Sequence, residues 1–191
     1  MAEGKDNNVF SHSMKSGLYV GGLLIAYDIL YMQCILSSNV LMITIGGLLC
    51  FVGVVYVLSK STKKFGQDVL DGKITYFKAF SFSFYTFFFA SMIYAAYTYI
   101  YLRYMNPDGL LQVKDFYLGL FAQLEAEAAK NPTGLQSVVA LNVPQYKEAL
   151  DVMVKVPVAT TAMDTLWANV FRSIFFCFIF SFFFRSKKKQ P

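Results

Sequence analysis

Residues 167–184 read WANVFRSIFFCFIFSFFF, and residues 185–191 continue RSKKKQP. The first stretch holds one charge, Arg172, and neither proline nor glycine. As a helix it rises about 27 Å, close to the ~30 Å hydrocarbon core of a bilayer. It therefore reads as a membrane span closed by a basic anchor.

Three more stretches have the same character: residues 16–36, 40–58 and 79–102. Period-two alternation is absent, so the sequence argues against a β-barrel. Over the whole chain of 191 residues, 56% are hydrophobic, 18% aromatic and 15% charged. A soluble domain of this size cannot bury that load and keep a polar skin. The same load excludes a disordered chain. Cys34, Cys50 and Cys177 are odd in number and lie within apolar stretches, so no disulfide scaffold is expected. His12 is the single histidine, which leaves no set of metal ligands; neither a metal nor another cofactor is expected.

The first apolar stretch is too long for a secretory signal, carries Asp28 and lacks an A-x-A site. It is expected to be a retained helix. Ser37, Ser38 and Asn39 join it to the second span as a tight helical hairpin. Residues 59–78 are expected to form a short basic loop. Residues 103–166 form the one sizeable extramembrane segment. Asn106-Pro107-Asp108 opens an amphipathic helix to about Lys130, and Asn131-Pro132-Thr133-Gly134 breaks it. Pro144 opens a second helix to about Val156, and Pro157 restarts the chain toward the last span. The expected fold is all-α: one integral membrane domain over residues 1–191, with four transmembrane helices and a small helical extracytoplasmic insert.

Charge sets the expected orientation. Lys5, Lys15, the lysines of residues 59–78 and the C-terminal tail place eleven cations on one side, against Glu3, Asp6, Asp68 and Asp71. The insert carries five cations and seven acids. The two sides thus hold +7 and −2, and Asp28 and Arg172 cancel between them. By the positive-inside rule both termini are cytoplasmic and the insert lies outside. Topology accounts for the basic balance, and no nucleic-acid partner is expected.

Residues 72–108, GKITYFKAFSFSFYTFFFASMIYAAYTYIYLRYMNPD, carry a family resemblance. Gly72, Ile74, Tyr76, Ala79 and Phe80, followed by Tyr101, Tyr104, Asn106 and Pro107, resemble the third-helix pattern of an uncharacterised bacterial membrane family, domain of unknown function 4199. The glycine-bearing first helix and lysine-ended fourth helix are similar to it too. The resemblance implies a four-helix protein of the bacterial inner membrane and implies no activity. It also implies genes often neighbouring a membrane glycosyltransferase that acts on a polyprenyl carrier. The buried charges stand apart from the family pattern.

Those charges are the sharpest site candidates. Asp28 lies about 16 Å along the first helix from Gly17, and Arg172 about 18 Å from Phe184, so their depths match. An ionisable group in hydrocarbon needs a partner or water. Gly17, Gly21 and Asp28 share a helix face that another helix can approach closely. An Asp28–Arg172 pair is the expectation; the alternatives are a functional polar site, or an Arg172 that snorkels toward Trp167. Asp164, Asn169 and Arg172 recur on one face of the last helix, opposite Tyr94, Tyr97, Thr98, Tyr101 and Tyr104. These form either a polar crevice for an anionic headgroup or an aromatic belt. Lys60, Lys63, Lys64, Arg185, Lys187, Lys188 and Lys189 are candidate headgroup contacts, and orientation alone also explains them.

Walker, G-x-S-x-G and H-E-x-x-H motifs are absent. The leading expectation is a non-catalytic accessory or scaffold subunit in a membrane assembly, with an envelope glycosyltransferase as one candidate partner. The alternative is a small transporter or lipid-binding protein built around Asp28 and Arg172. The expected partners are the lipid bilayer and either a membrane protein or a second copy of the chain.

Overall fold

A computed structural model describes residues 3–70, 72, 74–130 and 142–184, with side chains from residue 9 onward. Six α-helices carry the chain: α1 (Glu3–Leu36), α2 (Val40–Leu70), α3 (Tyr76–Ile100), α4 (Gly109–Lys130), α5 (Val143–Lys155) and α6 (Val158–Phe184). Among the described residues there is no strand. Segments Val9–Leu36, Val40–Leu70, Tyr76–Met105 and Val158–Phe184 are each long and apolar enough to cross a membrane. The protein is an all-α, multi-pass membrane protein.

The helices outrun the apolar stretches that announce them. Residues 59–70 continue α2, correcting the expected loop over 59–78. Leu58, Thr62, Phe65 and Gly66 share one helix face, and all four are buried while Lys63 and Lys64 point out. Amphipathic spacing, not mean hydropathy, carries the helix past the lysines. The turn then closes through Gly72, whose φ of +77° suits a residue without a Cβ, and its N–H donates to the Gly66 carbonyl at 2.9 Å. Thr75 caps α3 by accepting from the Lys78 N–H at 3.4 Å.

The α1–α2 hairpin is as tight as expected. The Asn39 N–H donates to the Cys34 carbonyl at 2.9 Å, and Asn39 Oδ1 accepts from the Met42 N–H at 3.1 Å. Residues Tyr101–Met105 widen the end of α3 into a π-turn, closed by the Asn106 N–H on the Tyr101 carbonyl at 2.7 Å. Asn106 was expected to open the next helix. Instead its side-chain amide donates to Tyr101 Oη at 3.2 Å and Gln112 Oε1 at 3.0 Å, and α4 starts at Gly109. Residues 131–134, the expected break, lie outside the described residues.

In the membrane the helices stand in the order α2, α1, α3, α6, each packed on the next. One end of this row gathers the N-terminus of α1 and the C-termini of α2 and α6. The other end carries α4 and α5 as a cap. The cap is an antiparallel pair held by Phe121 on Tyr146, by Lys147 on Glu125 at 2.9 Å and by Lys114 on Asp151 at 2.6 Å. The Tyr31 and Tyr117 hydroxyls, 3.0 Å apart, tie it to α1.

Small residues decide how close the helices come. A Cβ at Gly17 would sit 2.6 Å from Phe89 Cβ and 2.9 Å from the Thr86 carbonyl oxygen, so α1 and α3 touch backbone to backbone there. Gly21 repeats the approach against Ala90 and Ile93. Ser13 Oγ donates across the same interface to the Phe82 carbonyl at 3.2 Å. On α6 the four-residue spacing of Ser173, Cys177 and Ser181 gives a buried small-residue seam on the side of α3.

Candidate functional site

Helical spacing on α6 puts Asp164, Thr165, Ala168, Asn169 and Arg172 on one face, as the sequence suggests. That face opens into a chamber of about 500 Å³. α5 supplies its roof through Met153 and Val156, and Tyr94 of α3 stands at its side. Asp164 and Arg172 are both exposed in it. Arg172 makes no ion pair among the described residues.

Asn169 and Arg172 also line a second cavity, a cleft of about 360 Å³ at membrane level. Its walls are apolar: Leu24 of α1, Phe51 and Val54 of α2, Phe87 of α3 and Phe176 of α6. The cleft lies between α2 and α6, the outermost helices of the row. They meet where Phe51 and Phe176 approach edge to face, with centroids 6.2 Å apart. One polar chamber and one apolar cleft therefore share a rim made of an arginine and an asparagine.

Asp28 is not paired with Arg172, which corrects the sequence expectation. Its Oδ1 accepts from the Tyr94 hydroxyl at 2.9 Å. The reason is helix order. The face that bears Gly17, Gly21 and Asp28 packs on α3, so the residue opposite Asp28 is Tyr94, and α6 lies beyond α3. The buried Tyr97 hydroxyl makes no hydrogen bond among the described residues. Tyr94 and Tyr97 stack at 6.2 Å, and Tyr97 and Tyr101 at 5.5 Å.

Asp28 lines its own cavity of about 240 Å³ with Tyr31, Thr98 and Tyr101. Tyr94, Met153, Thr161 and Thr165 line both this cavity and the Arg172 chamber. The two ionisable groups thus face adjoining chambers across a shared wall. The tyrosines divide accordingly. Tyr94, Tyr97 and Tyr101 turn into the polar cluster, while Tyr104 is 71% exposed, as an interfacial belt residue is.

Of the candidate headgroup lysines, Lys64 lines a cavity of about 390 Å³ at the terminal end with His12 and Lys15. Lys60 and Lys63 are exposed on α2. Arg185, Lys187, Lys188 and Lys189 lie outside the described residues. Sequence reasoning missed the roof of the chamber. Met153 and Val156 read only as the apolar side of a short amphipathic helix, and periodicity within that helix does not tell which neighbour its apolar side meets. Among the described residues no group of three or more His, Cys, Asp or Glu side chains gathers to hold a metal ion.

A family model described as "Protein of unknown function (DUF4199)" matches residues 15–186. No curated protein and no solved structure matches the chain.

Proposed function

We propose that this chain, which belongs to the DUF4199 family of proteins of unknown function, is a non-catalytic membrane protein that holds one membrane amphiphile. The ligand's anionic group sits at Arg172 and Asn169, and its hydrocarbon lies in the α2–α6 cleft. The observation that carries this reading is the shared rim: the same two residues border a polar chamber and an apolar cleft. An unpaired guanidinium at the edge of hydrocarbon favours an anionic partner, and a planar fork of donors suits a phosphate. Positive-inside charge supports both termini being cytoplasmic and the cap outside, and the family resemblance supports a bacterial inner membrane. The chamber then serves the outer leaflet.

Native mass spectrometry of the protein from mild detergent tests the reading. The wild-type protein should retain one phospholipid. Arg172→Gln should retain about tenfold less, the effect of losing one charge-assisted contact. Equal retention would overturn the proposal.

The first half of α2 supports a second reading, an accessory subunit. Between Val40 and Gly53 no α2 side chain is buried. Leu41, Leu48, Leu49 and Val52 project from an edge helix that one further helix could cover. Crosslinking before lysis, then mass spectrometry, should return one stoichiometric membrane partner if that reading holds, and the protein alone or as a homodimer if it does not.

A further inference from the structure

We infer that the amphiphile is zwitterionic: a phospholipid whose primary ammonium group is received by Asp28 while its phosphate meets Arg172. This rests on the lipid-holding reading above and narrows it to a headgroup class.

Three observations carry it. First, two opposite charges stand at membrane depth in adjoining chambers, and neither has an ionic partner among the described residues. Asp28 holds only a tyrosine hydroxyl at 2.9 Å, and Arg172 makes no ion pair among the described residues. A charge at membrane depth without an ionic partner is costly even where a cavity reaches it, and a ligand bearing both signs relieves both at once. Second, the charged residues lining the two chambers are Asp28, Asp164 and Arg172, a net of −1. A purely anionic headgroup would add repulsion to that balance, whereas a zwitterion adds none. Third, the Asp28 chamber suits an ammonium ion. It offers one carboxylate, the hydroxyls of Thr98 and Thr161, and the rings of Tyr31, Tyr94 and Tyr101. Carboxylate, hydroxyl acceptors and aromatic faces are the partners an ammonium group takes. The cavity of about 240 Å³ admits such a group and leaves the phosphate in the larger chamber next to it.

The test is a competition in native mass spectrometry. The protein is offered equal amounts of phosphatidylethanolamine and phosphatidylglycerol, which share the phosphate and differ in the ammonium. Wild-type protein should retain the ethanolamine lipid about tenfold over the glycerol lipid. Asp28→Asn keeps an acceptor for Tyr94 and should bring the two lipids level. A surviving preference in Asp28→Asn would overturn the assignment. So would a preference abolished by Asp164→Asn, which would move the ammonium to the chamber mouth. N-acetyl phosphatidylethanolamine needs no variant: with its amine charge removed it should fall to the phosphatidylglycerol level on wild-type protein, and retention equal to the parent lipid overturns the inference. If Arg172→Gln leaves total lipid retention unchanged, the lipid-holding reading itself fails; if it lowers retention while the Asp28 arms show no preference, only the zwitterion fails.

Discussion

The two ends of the helix row are built from different materials. At the terminal end Leu58, Thr62, Phe65, Phe82 and Thr86 are all fully buried, and the Phe65 and Phe82 rings stack with centroids 4.7 Å apart. Glycine and serine set the helix spacing there. Toward the cap the facing residues are tyrosines, α2 buries nothing before Val54, and three cavities open. Lipid is as apolar as leucine, so apolar surface alone does not pull helices together in a membrane. Contact comes from fit. Small side chains against backbone give fit, and stacked rings with hydroxyl groups leave room. The terminal end, whose described cavity lies at its surface beside the exposed Lys15 and Lys64, therefore holds the fold, and the open end is free to hold something else.

The sharpest break in that contrast is Gly17. A methyl group there meets Phe89 Cβ and the Thr86 carbonyl, and neither is the free end of a side chain. Gly17→Ala should cost about 1–3 kcal/mol by overpacking, and Gly17→Leu should abolish the folded protein. Gly22 lies five residues on, where a Cβ meets nothing within 4 Å. Gly22→Ala should be neutral or stabilise by up to about 1 kcal/mol through helix propensity. Unfolding in mixed micelles reads both, and a Gly17→Ala protein as stable as wild type would show that α1 and α3 are not in backbone contact.

Phe65 and Phe51 sharpen it next. Both sit on α2, Phe51 in the half nearer the cap and Phe65 in the half nearer the terminal end, and only Phe65 is fully buried. Phe65→Ala leaves a void between Phe82 and His12. In lipid the transfer part of the ~3–5 kcal/mol seen for Phe→Ala in water is reduced, and the cavity part remains, so about 2 kcal/mol is expected. Phe51→Ala, on the cleft wall and 56% exposed, should stay within about 0.5 kcal/mol. Equal costs would mean that the cleft end is as tightly packed as the terminal end.

Much of this contrast was legible beforehand, and the part that was not has a physical reason. Four spans, the hairpin at Ser37–Asn39 and both cap helices follow from hydropathy, turn residues and prolines, all local signals. The Gly17–Gly21 face correctly announces a close helix neighbour. The same signals place Asp28 and Arg172 at one depth, because depth is a count along a single helix. Their pairing depends instead on which helix stands beside which. That order is set by the fit of Gly17 and Gly21 on Thr86, Ala90 and Ile93, a relation between residues some seventy positions apart in the chain. Nothing within either helix encodes it. The basic extension of α2 was hidden for another reason: Lys60, Lys63 and Lys64 lower the mean hydropathy, while Leu58, Thr62 and Phe65 keep a buried face that a mean does not register.

Within the open end, Tyr94 tests whether the polar cluster also helps to hold the fold. Tyr94→Phe keeps the ring and its stack on Tyr97 and removes the only hydrogen bond found for the Asp28 carboxylate among the described residues. Interhelical hydrogen bonds in membranes average about 0.6 kcal/mol, and a charged acceptor raises that, so a loss of about 1 kcal/mol is expected. A loss as large as that of Phe65→Ala would make the cluster a structural keystone and erase the division of labour between the two ends.

The smallest expected effect lies in the cap, where water replaces lipid. Lys114 Nζ lies 2.6 Å from Asp151 Oδ1. The hydrogen bond from Lys114, and then its charge, hold the Asp151 carboxyl below its ordinary value. The pair therefore favours the folded cap above that ordinary range, near pH 4, and its contribution fades as pH falls through the lowered folded value. Asp151 is exposed, and solvent screens the pair, so Lys114→Met should leave the thermal unfolding temperature nearly unchanged. What should move is the titration: carbon NMR of the Asp151 carboxyl in micelles should show its midpoint rising to the ordinary aspartate value in the variant. An unchanged midpoint would mean that the α4–α5 pair is held by Phe121 on Tyr146 and by Glu125 on Lys147 alone, leaving the chamber roof freer to move over Arg172 than the terminal end is to move at all.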